Sequence, residues 1–327
     1  MRIVLLILFG ISSLTQAQEV TIDSEYLQQT RVVTVLLPES YESSVGDYPT
    51  LYVFDGQWYG HLVTTTVREA NRFIPLLPDF IVVAINNNER WQDFTEKTTQ
   101  PNDSSMYQGP YLADGFRNFI KGELIPKIEA EFRVSNHRVA FGYSLGGGFL
   151  AETLYKDASL FSNYILISPY LRWNGDASLR NLDEVVNRLK SQQIGIALAI
   201  GSDEDDDTRE PAIKFYEGVK NSQLIYFNDY LGENHTSMPN AALFKSLRTL
   251  YSHWFPDRAT GTLMSGEQHL NYFARQHQKY IGTEKVQTSV FDFLFTWFGY
   301  DDENLELLCE AYEKSYKVHA KQCAKGL

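Results

Sequence analysis

Arg138-Val-Ala-Phe-Gly-Tyr-Ser144-Leu-Gly-Gly-Gly-Phe149 is a short apolar run that turns at a serine and then changes to helical spacing. Val139, Ala140 and Phe141 read as a buried strand closed by glycine, and residues 149–155 carry apolar side chains at the helical period. Gly142-x-Ser144-x-Gly146 therefore falls between a strand and a helix. A tight turn there lifts a serine hydroxyl above the sheet edge, and the flanking glycines let strand and helix pass closely. The helix that opens at the serine aims unpaired N–H groups and a positive dipole end at any oxyanion formed beside it. The bare three-residue pattern also occurs in ordinary glycine-rich turns; the strand before it and the helix after it set this one apart.

The strand pattern repeats outward from that turn. Residues 31–37, 50–55, 80–85, 164–168, 194–200 and 224–228 are short apolar runs, most of them rich in β-branched residues. They read as strands buried on both faces, which predicts a mostly parallel sheet covered by helices. Amphipathic stretches lie between them, at 115–132, 179–192, 210–222 and 238–254. In the first, Phe116, Ile120, Leu124 and Ile128 share a face, and Pro126 is expected to kink or divide the helix. Strand and helix alternate throughout, so the class is α/β.

Chemistry in such a sheet collects at the carboxyl ends of the strands. The segment Asp55-Gly56-Gln57-Trp58-Tyr59-Gly60 reads as a loop after the second apolar run. The backbone N–H of Gln57 is the candidate oxyanion donor there, paired with that of Leu145 just after the serine. A general base belongs after the last strand, and His235, in Gly232-Glu233-Asn234-His235-Thr236-Ser237, occupies that place. His253 lies in a helix beside Trp254 and Phe255 and reads as a packed histidine; His61, His137, His269, His277 and His319 fall in the wrong order or in the tail. The acid belongs after the penultimate strand, where Gly201-Ser-Asp-Glu-Asp-Asp-Asp207 offers five carboxylates. Glu204 is the first choice, with Asp203 and Asp207 behind it and Asp205 and Asp206 as neighbours. The run lacks the alternation of ligands and glycine that a calcium loop needs, so no metal site is expected.

The chain has 327 residues, 43% hydrophobic and 14% aromatic, enough for one large core or two smaller ones. A formal charge of −12 argues against nucleic acid or an anionic membrane surface as partner. Residues 1–17 combine an early arginine, the apolar run 3–9 and a small-residue site at Thr15-Gln16-Ala17, which predicts a secretory signal peptide cleaved after Ala17. The other reading of the apolar run is a first strand. No later stretch is long and apolar enough to span a bilayer. Cys309 and Cys323 both lie in the tail, and in an exported chain they either pair or remain two free thiols.

The assembled motifs resemble the Putative esterase family of α/β-hydrolases, which includes esterase D, mycolyltransferases and enterochelin-type siderophore esterases. The resemblance runs from about Arg31 to Trp254. It rests on Leu51-Tyr-Val-Phe-Asp-Gly56, Gly122-Glu-Leu-Ile-Pro126, Gly142-Tyr-Ser-Leu-Gly-Gly147, Ile167-Ser-Pro-Tyr170 and the loop bearing His235. It implies an α/β-hydrolase fold with Ser144 as nucleophile, His235 as base, Gln57 and Leu145 as oxyanion donors, and Glu204 at the family's acid position. Two departures stand out. Glu96 follows Glu89-Arg90-Trp91-Gln92-Asp93-Phe94-Thr95 where the family continues with proline, and the acidic run beside Glu204 disfavours a trianionic ferric siderophore.

Residues 18–257 thus form the expected hydrolase domain, and 258–327 a small extension of about three helices resembling a degenerate helical repeat. So short a repeat must pack on the hydrolase domain, unless it offers its helices to a protein contact. The expected activity is an exported serine ester hydrolase acting on a small-molecule ester without a cofactor. Trp58, Tyr59, Tyr143, Tyr170 and Trp173 are candidates for an apolar substrate pocket. Acyl transfer to a sugar or lipid acceptor, a siderophore esterase, and a non-catalytic binding protein on the same scaffold are the other readings.

Overall fold

Eight strands pair into one sheet in the order β1-β2-β4-β3-β5-β6-β7-β8 in the computed structural model, which describes residues 17–44, 46–299, 302–318 and 320–323. They are β1 (Ala17–Ser24), β2 (Gln29–Leu36), β3 (Tyr48–Phe54), β4 (Ile81–Ile85), β5 (Val134–Tyr143), β6 (Asn163–Ile167), β7 (Gly195–Gly201) and β8 (Ile225–Tyr230). β3 through β8 run parallel, while β2 is antiparallel to both β1 and β4. This is the mostly parallel sheet of the α/β-hydrolase fold, with an antiparallel edge. The expected signal peptide falls outside the described residues except for Ala17, which opens β1; His319 also falls outside them.

Two expectations about strands need correction. β1 was not anticipated, because Glu19, Thr21 and Asp23 alternate with its less exposed residues and no apolar run forms. β2 is buried on one face only: Arg31, Val33 and Val35 point inward and their neighbours do not, as its antiparallel partners dictate. The central strands are buried throughout, and their side chains alternate between two cores. Leu51 and Val53 join Val63 and Val67 of the helix Gly56–Ala70 and Leu243 and Leu247 of Met238–Leu250. Tyr52 and Phe54 join Phe116, Phe149, Leu154, Leu189 and Phe215 on the other face.

Residues 55–60, expected as a loop, are instead one left-handed residue and the first turn of a helix. Asp55 has φ 55°, and its carbonyl accepts from the N–H groups of Trp58 and Tyr59, so the chain leaves β3 directly into Gly56–Ala70. The helix around Pro126 is divided, as expected, with the proline in the first turn of its last segment. A π turn at Ile120–Leu124 joins Ala113–Phe119 to Ile125–Glu131 with right-handed helical angles at both joints, and the wide turn absorbs the N–H that proline lacks.

The tail holds three long helices, Gly266–Tyr280, Thr288–Phe298 and Asp302–Tyr316, around Phe273, Phe291, Leu294 and Leu308. Ile74 and Phe255 of the hydrolase body pack into this third core. The Gln287 carboxamide clamps the backbone of Asp79, accepting from its N–H and donating to its carbonyl at 3.0 Å each. Cys309 and Cys323 form a disulfide, which resolves the choice between a pair and two thiols.

Candidate active site

β5 ends at Tyr143, and Ser144 takes φ 53°, ψ −120° before the helix Leu145–Asp157 begins. A non-glycine residue there carries strain, which its surroundings must hold in place. The Ser144 N–H donates to the Ile167 carbonyl at 3.1 Å, and its carbonyl accepts from the N–H of Gly148 and Tyr170. A Cβ on Gly142 would lie 2.6 Å from the Gly146 carbonyl oxygen, so only glycine lets the helix fold back over the strand. Ser144 is half-buried just past the end of β5.

Two further loops converge on it. A Cβ on Gly201, the last residue of β7, would strike the Glu233 carbonyl at 2.1 Å; the glycine lets the loop after β8 cross the strand end. That loop delivers His235, whose Nε2 lies 3.0 Å from Ser144 Oγ and whose Nδ1 lies 2.7 Å from Glu204 Oε2. The Glu204 side chain is fully buried, whereas the imidazole is about one-third exposed, at 38%. Tyr143 steadies the histidine twice, donating its hydroxyl to the His235 carbonyl at 2.7 Å and packing its ring 4.9 Å from the imidazole. Among the five acids after β7, only Glu204 is brought to the histidine. Asp203 accepts from the Ser202 hydroxyl, Asp205 caps the helix Asp206–Val219 through the Thr208 N–H, and Asp206 and Asp207 sit exposed in its first turn.

Leu145 and Gln57 occupy the first and second positions of their helices, where backbone N–H groups have no intrahelical acceptor. The Gln57 side chain accepts from the Asn87 N–H. Of the proposed pocket aromatics, Trp58 is 59% exposed and Tyr59 and Tyr170 are half-buried. Tyr143 and Trp173 are buried with their polar ends engaged internally, Trp173 Nε1 by the Glu96 carbonyl at 2.8 Å.

Two further residues, Arg90 and Ser168, support the site without a local sequence motif for their role. Arg90 follows β4 and grips Asp55 through Nε, at 3.0 and 2.9 Å from its two oxygens, while Nη2 reaches the Tyr143 carbonyl at 3.4 Å. Burial pushes the Asp55 carboxyl up to about 6 against the opposing pull of Arg90. The helix Arg90–Phe94 is itself anchored by a buried two-pronged pair between Arg31 and Asp93, at 3.0 and 2.6 Å. The available signal was an arginine just past a strand end, inside a segment already matched to the family. Ser168, after β6, donates to Glu204 and had appeared only as part of a motif.

A serine on a left-handed elbow between parallel strand and helix, reached by a histidine from the last loop, defines this chain as an α/β-hydrolase. It belongs to the Putative esterase family, whose model matches residues 24–240, and is therefore an ester hydrolase by family. It is 29% identical over 233 residues to the ferri-bacillibactin esterase BesA of Bacillus subtilis, covering 62% of this chain and 78% of that one. The siderophore triacetylfusarinine C esterase of Aspergillus fumigatus is 25% identical over 172 residues, covering 43% and 59%. The crystal structure of an IroE-like serine hydrolase from Shewanella oneidensis has a TM-score of 0.75 at 22% identity and covers 91% of this chain and 99% of that chain. Residues up to 257 cannot supply so large a share of 327, so the likeness in fold extends into the helical tail.

Proposed function

We propose that this chain is an exported serine hydrolase that cleaves carboxylic esters through an acyl-enzyme. The observation that carries the reading is the hydrogen-bonded chain from Ser144 Oγ to His235, at 3.0 Å, and on to Glu204, at 2.7 Å. His235 takes the hydroxyl proton as Oγ attacks the ester carbonyl, and Glu204 holds the imidazole tautomer and offsets the imidazolium charge. The N–H groups of Gln57 and Leu145 receive the oxyanion, and Arg90, fixed by Asp55, adds a positive charge beside the elbow. His235 then gives its proton to the leaving alcohol, which departs and leaves the acyl group on Ser144. Water, deprotonated by His235, attacks that acyl carbon and releases the acid and the free serine. Ser144→Ala should lower turnover of an activated ester by about 10⁴ or more while circular dichroism stays unchanged. Turnover near wild type would move the nucleophile elsewhere.

A second reading concerns the substrate, which we take to include siderophore esters. Two relatives carry that activity in their names. The repulsion expected from the acidic run is also partly offset, since Asp207 lies 3.4 Å from Arg172. Comparing kcat/KM for a ferric siderophore and a neutral aryl ester separates the readings; preference for the ferric complex supports this one, and a strong preference for the neutral ester refutes it. Export is motivated by the order of regions in residues 1–17 and by the tail disulfide, which persists in oxidising compartments. A mature chain that begins near Gln18 outside the cytoplasm would support it, and an intact amino terminus in the cytoplasm would not.

A further inference from the structure

Ser168 is wholly buried at the end of β6, with φ 43°, in a region that residues with a side chain enter at a cost. Its N–H donates to the Ala199 carbonyl of β7 at 2.8 Å, so the backbone is held across the sheet at the strained position. From there Oγ donates to Oε1 of Glu204, while Oε2 of the same carboxylate faces His235 Nδ1. Both oxygens of a fully buried carboxylate are thus assigned, one to each partner. Glu204 needs such a partner more than an aspartate would, since its longer side chain has more rotamers to settle among and its charge is out of water.

We propose that Ser168 is the positioning residue that aims Glu204 at His235, and that its strained backbone is kept because it points this hydroxyl at Oε1. The proposal rests on the serine-hydrolase reading above and deepens it. A backbone role and a hydroxyl role make opposite demands on one substitution. Glycine adopts φ 43° without strain but lacks the hydroxyl, so Ser168→Gly preserves the turn and removes only the donor.

The experiment measures kcat and KM for an activated ester against pH in Ser168→Gly, Ser168→Ala, Glu204→Gln and the Ser168→Gly/Glu204→Gln double variant. Both Ser168 variants should lose about tenfold to hundredfold in kcat with KM little changed, the scale of a lost hydrogen bond to a charged group. The acid limb of their kcat/KM profiles should move to higher pH, because a carboxylate freed of one donor holds the imidazolium proton more firmly. In the Glu204→Gln background, removing the Ser168 hydroxyl should cost less than about twofold, since the two act as a unit. A Ser168→Gly enzyme with wild-type kcat and an unmoved acid limb overturns the proposal, as does a full additional loss in the double variant. Failure of the underlying reading would appear separately, as turnover surviving in Ser144→Ala.

Discussion

Five carboxylates follow β7, and packing alone separates them. Glu204 is buried against His235, while Asp203, Asp205, Asp206 and Asp207 are exposed. Glu204→Gln keeps the shape but loses the charge opposite the imidazolium, and should cost on the order of 10⁴ in turnover, the scale found for the matching change in a serine protease. The four aspartate-to-asparagine variants should each stay within about threefold, since exposed charges contribute little and asparagine caps a helix as well as aspartate. One activated ester tests all five, and a crippled Asp207→Asn would reassign the acid. Arg90 gives a second test. Lysine cannot hold Asp55 and the Tyr143 carbonyl from two separate nitrogens, as Nε and Nη2 of Arg90 do, so Arg90→Lys should lose about tenfold or more in kcat despite keeping the charge. Wild-type kcat in that variant would remove Arg90 from the reaction.

The helix Leu145–Asp157 links the elbow to a partly buried ion cluster. Glu152, two turns beyond Ser144, is pushed up to about 7, chiefly by burial and next by the charge of Glu96, with Arg117 and Lys156 opposing. Glu96 itself pairs with Arg117 and Lys156, and Asp114 shares both cations. The folded state keeps the Glu152 proton to higher pH than the unfolded chain does. Its contribution to stability is therefore full below the ordinary glutamate range and is lost as pH rises through about 7. Glu152→Gln should raise unfolding free energy by about 1–3 kcal/mol at pH near 8 and change little at pH near 4, measured by urea titration. Equal effects at both values would show that Glu152 does not titrate in that window.

What the sequence disclosed depended on the kind of signal. Buried parallel strands announce themselves as apolar runs, and the order serine, acid, histidine then assigned Ser144, Glu204 and His235 to strand ends. β1 is hidden because an edge strand with one wet face is half polar, and the helix at Gly56 because Gly56 and Gly60 in its first turns read as loop residues. Arg90 and Ser168 were hidden because their roles come from contacts between loops 35 and 36 residues apart, which no local pattern records.

At the scale of the whole molecule, the tail and the site lie at opposite ends of the sheet. The site gathers beyond the carboxyl ends of β5, β7 and β8, whereas Gln287 clamps Asp79 just before β4, at the other end of the parallel strands. Among the described residues, the tail thus holds the hydrolase body at the end of the sheet away from Ser144. Replacing Cys309 and Cys323 with serine should lower the thermal midpoint by several degrees, since a crosslink over 14 residues contributes about 3 kcal/mol. It should leave kcat/KM for a small ester within about twofold. Deleting residues 258–327 should do more, exposing Ile74, Phe255 and Trp254 and lowering solubility; a soluble, fully active truncation would show the tail to be an independent module.

The central claim is that Ser144 is the nucleophile of an acyl-enzyme, and it is tested most directly by reaction with a fluorophosphonate followed by peptide mass mapping. A single stoichiometric adduct on Ser144 is expected, formed in step with loss of esterase activity and much more slowly in a His235→Ala variant. An adduct on another residue, or full inactivation with Ser144 unmodified, would contradict it.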